Sequence, residues 1–190
     1  MLKLILIPAA QTEWRAAGRL AGDTDLPLNE QGHRQAVHWA SQIAPMKPEL
    51  VRCGPEQCTK QTASIIAHQL GIHLRTIKEL REINLGLWQG LTIQDFEERF
   101  PKVHRQWRAE PESIEPPDGE TITTVADRLA AGLLKIRRKH ATGIVAIPLG
   151  QYAFAILRCR LLDDTYDKFW EYVDDEQQPL TVELPLDSVK

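Results

Sequence analysis

The chain has 190 residues, 43% of them apolar and 26% charged, enough for one full hydrophobic core and ordinary for a globular protein. Its formal net charge of −3 gives no electrostatic case for a nucleic-acid partner or an anionic membrane surface. Three cysteines, Cys53, Cys58 and Cys159, are an odd and small number that argues against a disulfide framework. Cys53 and Cys58 also lack zinc-knuckle spacing, so no metal and no cofactor is implied.

The apolar run at the amino terminus is too short for a signal-peptide core or a membrane span, which predicts a cytoplasmic location. Leu4-Ile5-Leu6-Ile7 predicts a buried strand that stops at Pro8 and opens into the loop Ala9-Ala10-Gln11-Thr12. In an open α/β sheet such a loop faces the ligand crevice, because crevices lie at the carboxyl ends of strands and helix amino termini point into them. Here Pro8, Ala9 and Ala10 bring no nucleophile, no proton carrier and no charge. Residues 14–19 read as a short helix and 22–29 as a turn-rich loop. Asn29 is a suitable N-cap for a helix through Ala44, with Ala36, Val37, Ala40 and Ile43 at helical spacing, ended by Pro45 and Pro48.

A second strand is predicted over 49–53, and Gly54-Pro55 turns the chain into a helix over 56–70 with Gly71 as its C-cap. A third strand over 73–77 precedes the irregular stretch 80–90, short helices over 93–100 and 103–108, and an acidic, proline-rich loop over 110–118. Asp118 is expected to cap a long helix in which Ile122, Val125, Leu129, Leu133 and Ile136 recur at steps of three and four. That helix ends in Lys135, Arg137, Arg138, Lys139 and His140, read as solvated cations suited to a helix carboxyl terminus. Residues 143–147 have the continuous apolar character of a central parallel strand, 151–162 form a helix, and 180–184 close the sheet. The alternation of strands and helices predicts one α/β domain over 1–190, a three-layer α/β/α sandwich with a mostly parallel central sheet.

Framework motifs recur along most of this length. They are Thr12-Glu13-Trp14 with Arg19, the run Gly22-Asp23-Thr24-Asp25-Leu26-Pro27-Leu28 with Gly32, and Gln61-Thr62-Ala63. Further on come Leu80-x-Glu82-x-x-x-Gly86-x-Trp88-x-Gly90 and Pro117-x-Gly119-Glu120. In order and spacing the chain resembles the histidine phosphatase superfamily, with its phosphoglycerate mutase-like fold. The resemblance implies a strand end reading Arg-His-Gly-Glu-Thr, where the His attacks phosphorus and the Arg holds phosphate. Those positions fall on Pro8, Ala9, Ala10, Gln11 and Thr12. A second Arg expected after the following strand falls on Cys58, and a second His falls on Leu149 or, one residue earlier, on Pro148. The chain's histidines, His33, His38, His68, His73, His104 and His140, occupy none of these positions.

On this reading the phosphate-binding set is gone, and the family's acid position, Glu82, is retained. An Ala side chain can neither attack phosphorus nor carry the phosphoryl group, and phosphoryl transfer depends on positive charge facing the phosphate oxygens. The residues therefore point to a pseudoenzyme whose crevice takes a neutral or cationic small molecule or a protein segment, with Glu82 vestigial or structural. The resemblance also implies a possible homodimer. A different reading is a weak phosphatase or hydrolase using Arg15, Glu82 and either water or Cys58, with Arg15 replacing an Asn that helps hold phosphate. Arg15 is otherwise a surface residue or an ion-pair partner of Glu82. A third reading fills the crevice with the chain's own Leu149 and Tyr152. Trp14 and Trp88 form an aromatic lip or pack in the core, and Gln11 and Thr12 meet a ligand or cap the first helix.

Overall fold

The strand β1, Leu2–Pro8, divides its side chains between two cores. Leu2, Leu4 and Leu6 enter one, and Ile5 and Ile7 enter the other on the opposite face. This is the period-two alternation of a strand covered on both sides, and it explains why the sequence there is apolar at nearly every position. The structure is a computed structural model that describes residues 1–174 and 178–184.

Around β1 lie β2 (Leu50–Cys53), β3 (His73–Thr76), β4 (Gly143–Leu149) and β5 (Leu180–Leu184) in the order β3-β2-β4-β1-β5. The first four are parallel, and β5 runs antiparallel beside β1. The β1–β4 ladder runs from Leu2 opposite Gly143 to Pro8 opposite Leu149, so the two strands end level with each other. Helices α2 (Glu30–Ile43) and α3 (Gln57–Leu70) cover one face with Ala36, Ala40, Ile43, Ala63 and Ile66. The other face carries α4 (Ile93–Arg99), α5 (Pro101–Ala109), α6 (Ile122–Lys139), α7 (Gln151–Leu161) and α8 (Phe169–Asp174). A one-turn helix, α1 (Glu13–Ala16), follows β1 directly. The α/β sandwich with a mostly parallel sheet is the architecture the alternation predicts.

Local signals explain most element ends. The Asn29 side chain accepts from Gly32 N at 2.8 Å and starts α2, and Gly71 ends α3 in the left-handed conformation that a residue without Cβ adopts freely. Three expectations are corrected. Asp118 does not cap α6: it sits in a turn at φ 59, and Thr121, adjacent to the first helical residue, accepts from Thr124 N at 3.1 Å. The first helix stops at Ala16 rather than running to Arg19, because Arg19 pairs with Thr92 in an isolated β-bridge. β4 continues through Pro148 to Leu149; its last pair with β2 is Ala146, so Pro148 lies where β4 has β1 as its ladder partner and a missing N–H is tolerated. No helix among the described residues is long and apolar enough to cross a membrane.

Candidate functional site

At the carboxyl ends of β1 and β4 a crevice of about 480 Å³ opens to solvent. Its walls come from the loop after β1 (Ala9, Ala10, Thr12), from α1 (Arg15), from the turn into α3 (Glu56, Cys58) and from the first turn of α7 (Gln151, Tyr152). Glu82 lies at its floor. Space remains beside Ala9, and of the two residues expected to fill the crevice only Tyr152 lines it. Leu149 is buried in the core beside α7, and Tyr152 forms part of the wall.

Glu82 is 4% exposed, and its carboxyl group accepts three backbone hydrogen bonds. Oε1 accepts from Ile83 N at 2.7 Å and Ala153 N at 2.8 Å, and Oε2 accepts from Tyr152 N at 2.9 Å. The N–H groups of Tyr152 and Ala153 belong to the first turn of α7, where no intrahelical acceptor exists, and Gly150 in front of them offers no capping side chain. Glu82 thus caps α7 from a distant segment. A Cβ at position 150 would overlap Glu82 Oε2, so Gly150 is the residue that permits this approach.

A second carboxyl group, Glu56, lies against the first and is also 4% exposed. Its Oε1 accepts from Glu82 N at 3.0 Å, and its Oε2 accepts from the Thr59 hydroxyl at 3.1 Å. Burial raises both carboxyl pKa values. Glu82 is pushed up to about 8, chiefly by loss of water and further by the nearby Glu56, while its three N–H partners oppose the shift. Glu56 is raised by burial, with its own hydrogen bonds opposing. The same environment acts on Cys58, whose thiol is driven up to about 12 by burial and then by Glu56 and Glu82. A thiol shifted in this direction is mostly protonated near neutral pH, which counts against Cys58 as a nucleophile.

Arg15 turns into the crevice rather than out to solvent. Its Nη1 donates to Ala9 O at 3.1 Å, and burial lowers its pKa against the opposing influence of Tyr152, Cys58 and Glu82. The guanidinium therefore sits on a backbone carbonyl, while the hydrogen bonds of Glu82 go to backbone N–H groups. Arg19, on the rim, donates from Nη1 to Gly90 O at 2.7 Å.

Of the residues singled out by sequence, Ala9, Ala10, Thr12, Arg15, Cys58 and Glu82 meet in the crevice. Pro8, Pro148 and Leu149 are strand residues behind it. Gln11 faces α2: its N–H donates to Gln35 Oε1 at 2.9 Å and its Oε1 accepts from the Asn29 side-chain amide at 3.0 Å. Thr12 Oγ1 caps α1, accepting from Arg15 N at 3.2 Å. Trp88 is a core residue, packed on Phe96 and Trp107 with ring centroids 4.6 and 5.2 Å away, and Trp14 is half-buried beside Gly90. Sequence reasoning missed Glu56, which in Gly54-Pro55-Glu56 reads as an ordinary helix-start acid. Among the described residues no group of three His, Cys, Asp or Glu side chains is placed to hold a metal ion.

Against known proteins, the family model for the histidine phosphatase superfamily, branch 1, matches residues 4–180. The chain belongs to that superfamily. It is 32% identical over 174 residues to phosphoserine phosphatase 1 of Hydrogenobacter thermophilus, covering 90% of this chain and 82% of that protein. Among solved structures it superposes on Bacillus stearothermophilus YhfR with a TM-score of 0.83 at 24% identity, covering 90% of this chain and 84% of that one. It also superposes on a mycobacterial glucosyl-3-phosphoglycerate phosphatase in complex with VO3, with a TM-score of 0.81 at 25% identity over 88% of this chain and 85% of that one.

Proposed function

We propose that this member of the superfamily has lost phosphoryl transfer and uses its crevice to bind a neutral or cationic small molecule or a protein segment. The observation that carries the reading is the crevice floor. Two buried carboxyl groups, Glu56 and Glu82, face a strand end that offers only Ala9 and Ala10 where the superfamily places its histidine nucleophile and the adjoining glycine. A phosphate dianion entering here would find no strand-end histidine or arginine, and as pH rises through the Glu82 pKa of about 8 it would also meet negative charge at the floor. Of the cations at its walls, Arg15 is already bonded to a backbone carbonyl. Desolvating a dianion where both wall arginines already serve backbone carbonyls is unfavourable, whereas an ammonium or amide donor would find acceptors in the two carboxyl groups.

Glu82 in this reading is a structural residue that terminates α7, not an acid serving a leaving group. The activities for which these relatives are named, phosphoserine and glucosyl-3-phosphoglycerate hydrolysis, require phosphate binding and are not carried over. The test is hydrolysis of a generic aryl phosphate from acidic to neutral pH by the wild-type protein and by Glu82→Ala purified identically. Equal background rates are expected. Turnover lost specifically in Glu82→Ala, or in Cys58→Ser with the fold intact by circular dichroism, would overturn the proposal and establish the weak hydrolase that uses Arg15 and Glu82.

A further inference from the structure

A second cavity, of about 910 Å³, lies between β3 and the carboxyl-terminal half of α6 and shares no lining residue with the crevice. Its walls carry Arg52, Arg75, Lys78, Lys135, Lys139 and His140, against one carboxylate, Glu79. Glu79 is committed to Lys135 at 2.6 Å. Arg75, Lys78 and Lys139 make no ion pair among the described residues.

The centre of this cluster is Arg52, 6% exposed and without a carboxylate partner among the described residues. Its Nη1 donates to Val51 O at 2.8 Å, and its Nη2 lies 3.1 Å from His140 Nε2, two acceptors that carry no formal charge. Arg52 and Arg75 are register partners on the parallel strands β2 and β3, so their side chains leave the same face of the sheet. Burial, and then the Arg75 charge, lower the Arg52 pKa. Like charges on neighbouring strands repel, and a buried guanidinium without a counter-ion is costly. The two neutral acceptors, Val51 O and His140, repay only part of that cost. The cluster does match the phosphate oxygens of a ligand, since guanidinium groups bind them bidentately and lysines neutralise them. Buried Ile136 and half-buried Ile77 give the same cavity an apolar floor.

We propose that this cavity is a binding site for a small polyphosphorylated ligand. Arg52 and Arg75 hold one phosphate, Lys78 and Lys139 neutralise a second, and the organic part rests on Ile77 and Ile136. This proposal stands apart from the crevice, and its test reads a different part of the molecule.

The experiment is calorimetric titration of the wild-type chain with tripolyphosphate, ADP and orthophosphate at constant ionic strength. It is repeated on Arg75→Glu, Lys139→Glu and Lys102→Glu. All three replaced residues are exposed, so the fold is retained, and Lys102 on α5 is a charge-matched control outside the cavity. Tripolyphosphate and ADP are expected to bind at least about tenfold tighter than orthophosphate, with at least about tenfold loss in Arg75→Glu and Lys139→Glu and none in Lys102→Glu. No saturable binding, or equal loss in all three variants, would overturn the assignment. Arg19→Ala, at the crevice, is titrated in parallel, and loss there with none in Arg75→Glu and Lys139→Glu would move the binding to the crevice and overturn the assignment as well. A single-stranded oligonucleotide binding tighter than tripolyphosphate would replace the small ligand by a nucleic acid.

Discussion

The crevice and the basic cavity bury ionisable groups in opposite ways. In the crevice, Glu82 is surrounded by groups that want an acceptor: three backbone N–H donors within 2.7 to 2.9 Å, two of them from the open end of α7. In the basic cavity, Arg52 is bonded to a backbone carbonyl and an imidazole, with Arg75 beside it. The first group has its hydrogen-bond partners within the chain, and removing it is expected to weaken the structure. The second has only neutral acceptors and no counter-ion among the described residues, and removing its charge is expected to relieve the structure. A buried ionisable group therefore says little until its partners are counted: one with a full set of partners is scaffold, and one without them points outward to a ligand.

The largest effect expected from that contrast is on Glu82→Ala. The substitution leaves three N–H groups buried without an acceptor and removes the α7 cap, which together should cost about 3–5 kcal/mol. Denaturation in urea at neutral pH measures it. A loss below about 1 kcal/mol would show that water takes over the three donors and that Glu82 is not structural. Retained circular dichroism at low urea is expected, since a cost of this size lies within the usual stability of a domain.

The next effect is on pH dependence. The folded-state pKa of Glu82 lies at about 8, above its ordinary value of 4.5, and that of Glu56 is raised in the same direction. A raised pKa means that the folded chain holds the proton more tightly than the unfolded one. This contribution to stability is complete below the ordinary value and is lost as pH rises through the folded value. Stability should fall by a few kcal/mol between about pH 5 and about pH 9. Glu120 works in the opposite sense. Burial raises its pKa, but the Asn84 N–H, Arg128 and Arg81 outweigh burial and hold it low, so its contribution is lost on acidification instead. Glu56→Gln sharpens the test. The amide oxygen can still accept from Glu82 N, and the amide nitrogen can donate to the Thr59 hydroxyl, whose own proton reaches Glu56 O at 2.9 Å. The variant should show a flatter loss of urea midpoint toward alkaline pH. Curves parallel to wild type would mean that the two carboxyl groups do not interact.

How far these two regions were legible beforehand follows from what each depends on. The crevice was largely legible because it hangs on ordered motifs: the apolar run ending at Pro8 places Ala9 and Ala10, and the run from Leu80 to Gly90 places Glu82. What could not be read was depth. Glu56 looks like a helix-start acid, and only the fold shows that Glu82 lies over it. Pro148 and Leu149 read as loop positions after a strand ending at Ile147, and only the fold shows that they are the last residues of β4, outside the crevice lining. Thr121 was passed over for Asp118 because both are good caps, and the choice between them depends on the turn that carries Glu120 to Arg81 and Arg128. α8 went unread because six residues show too little periodicity. The basic cavity was invisible for a different reason. Lys135 to His140 do form a helix end with exposed lysines, as expected, but Arg52 and Arg75 reach it only through the register of β2 against β3.

The smallest expected effect separates the two regions most cleanly. Arg52→Met keeps an unbranched apolar stem while removing the guanidinium and its charge. If Arg52 were scaffold like Glu82, the change would cost several kcal/mol, because it removes the hydrogen bonds to Val51 O and His140. If its charge is retained for a ligand, the ligand-free protein loses an unpaired buried cation and a repulsion with Arg75. It should then be unchanged or stabilised by about 1 kcal/mol, as when buried charges give way to apolar groups of similar volume. The urea midpoint without ligand decides between these, and repeating it with tripolyphosphate adds a second reading. The polyanion should stabilise wild type, because it binds the folded chain alone, and stabilise Arg52→Met much less. A destabilised Arg52→Met that tripolyphosphate still protects would make Arg52 a structural residue and would leave the ligand to Arg75 and Lys139.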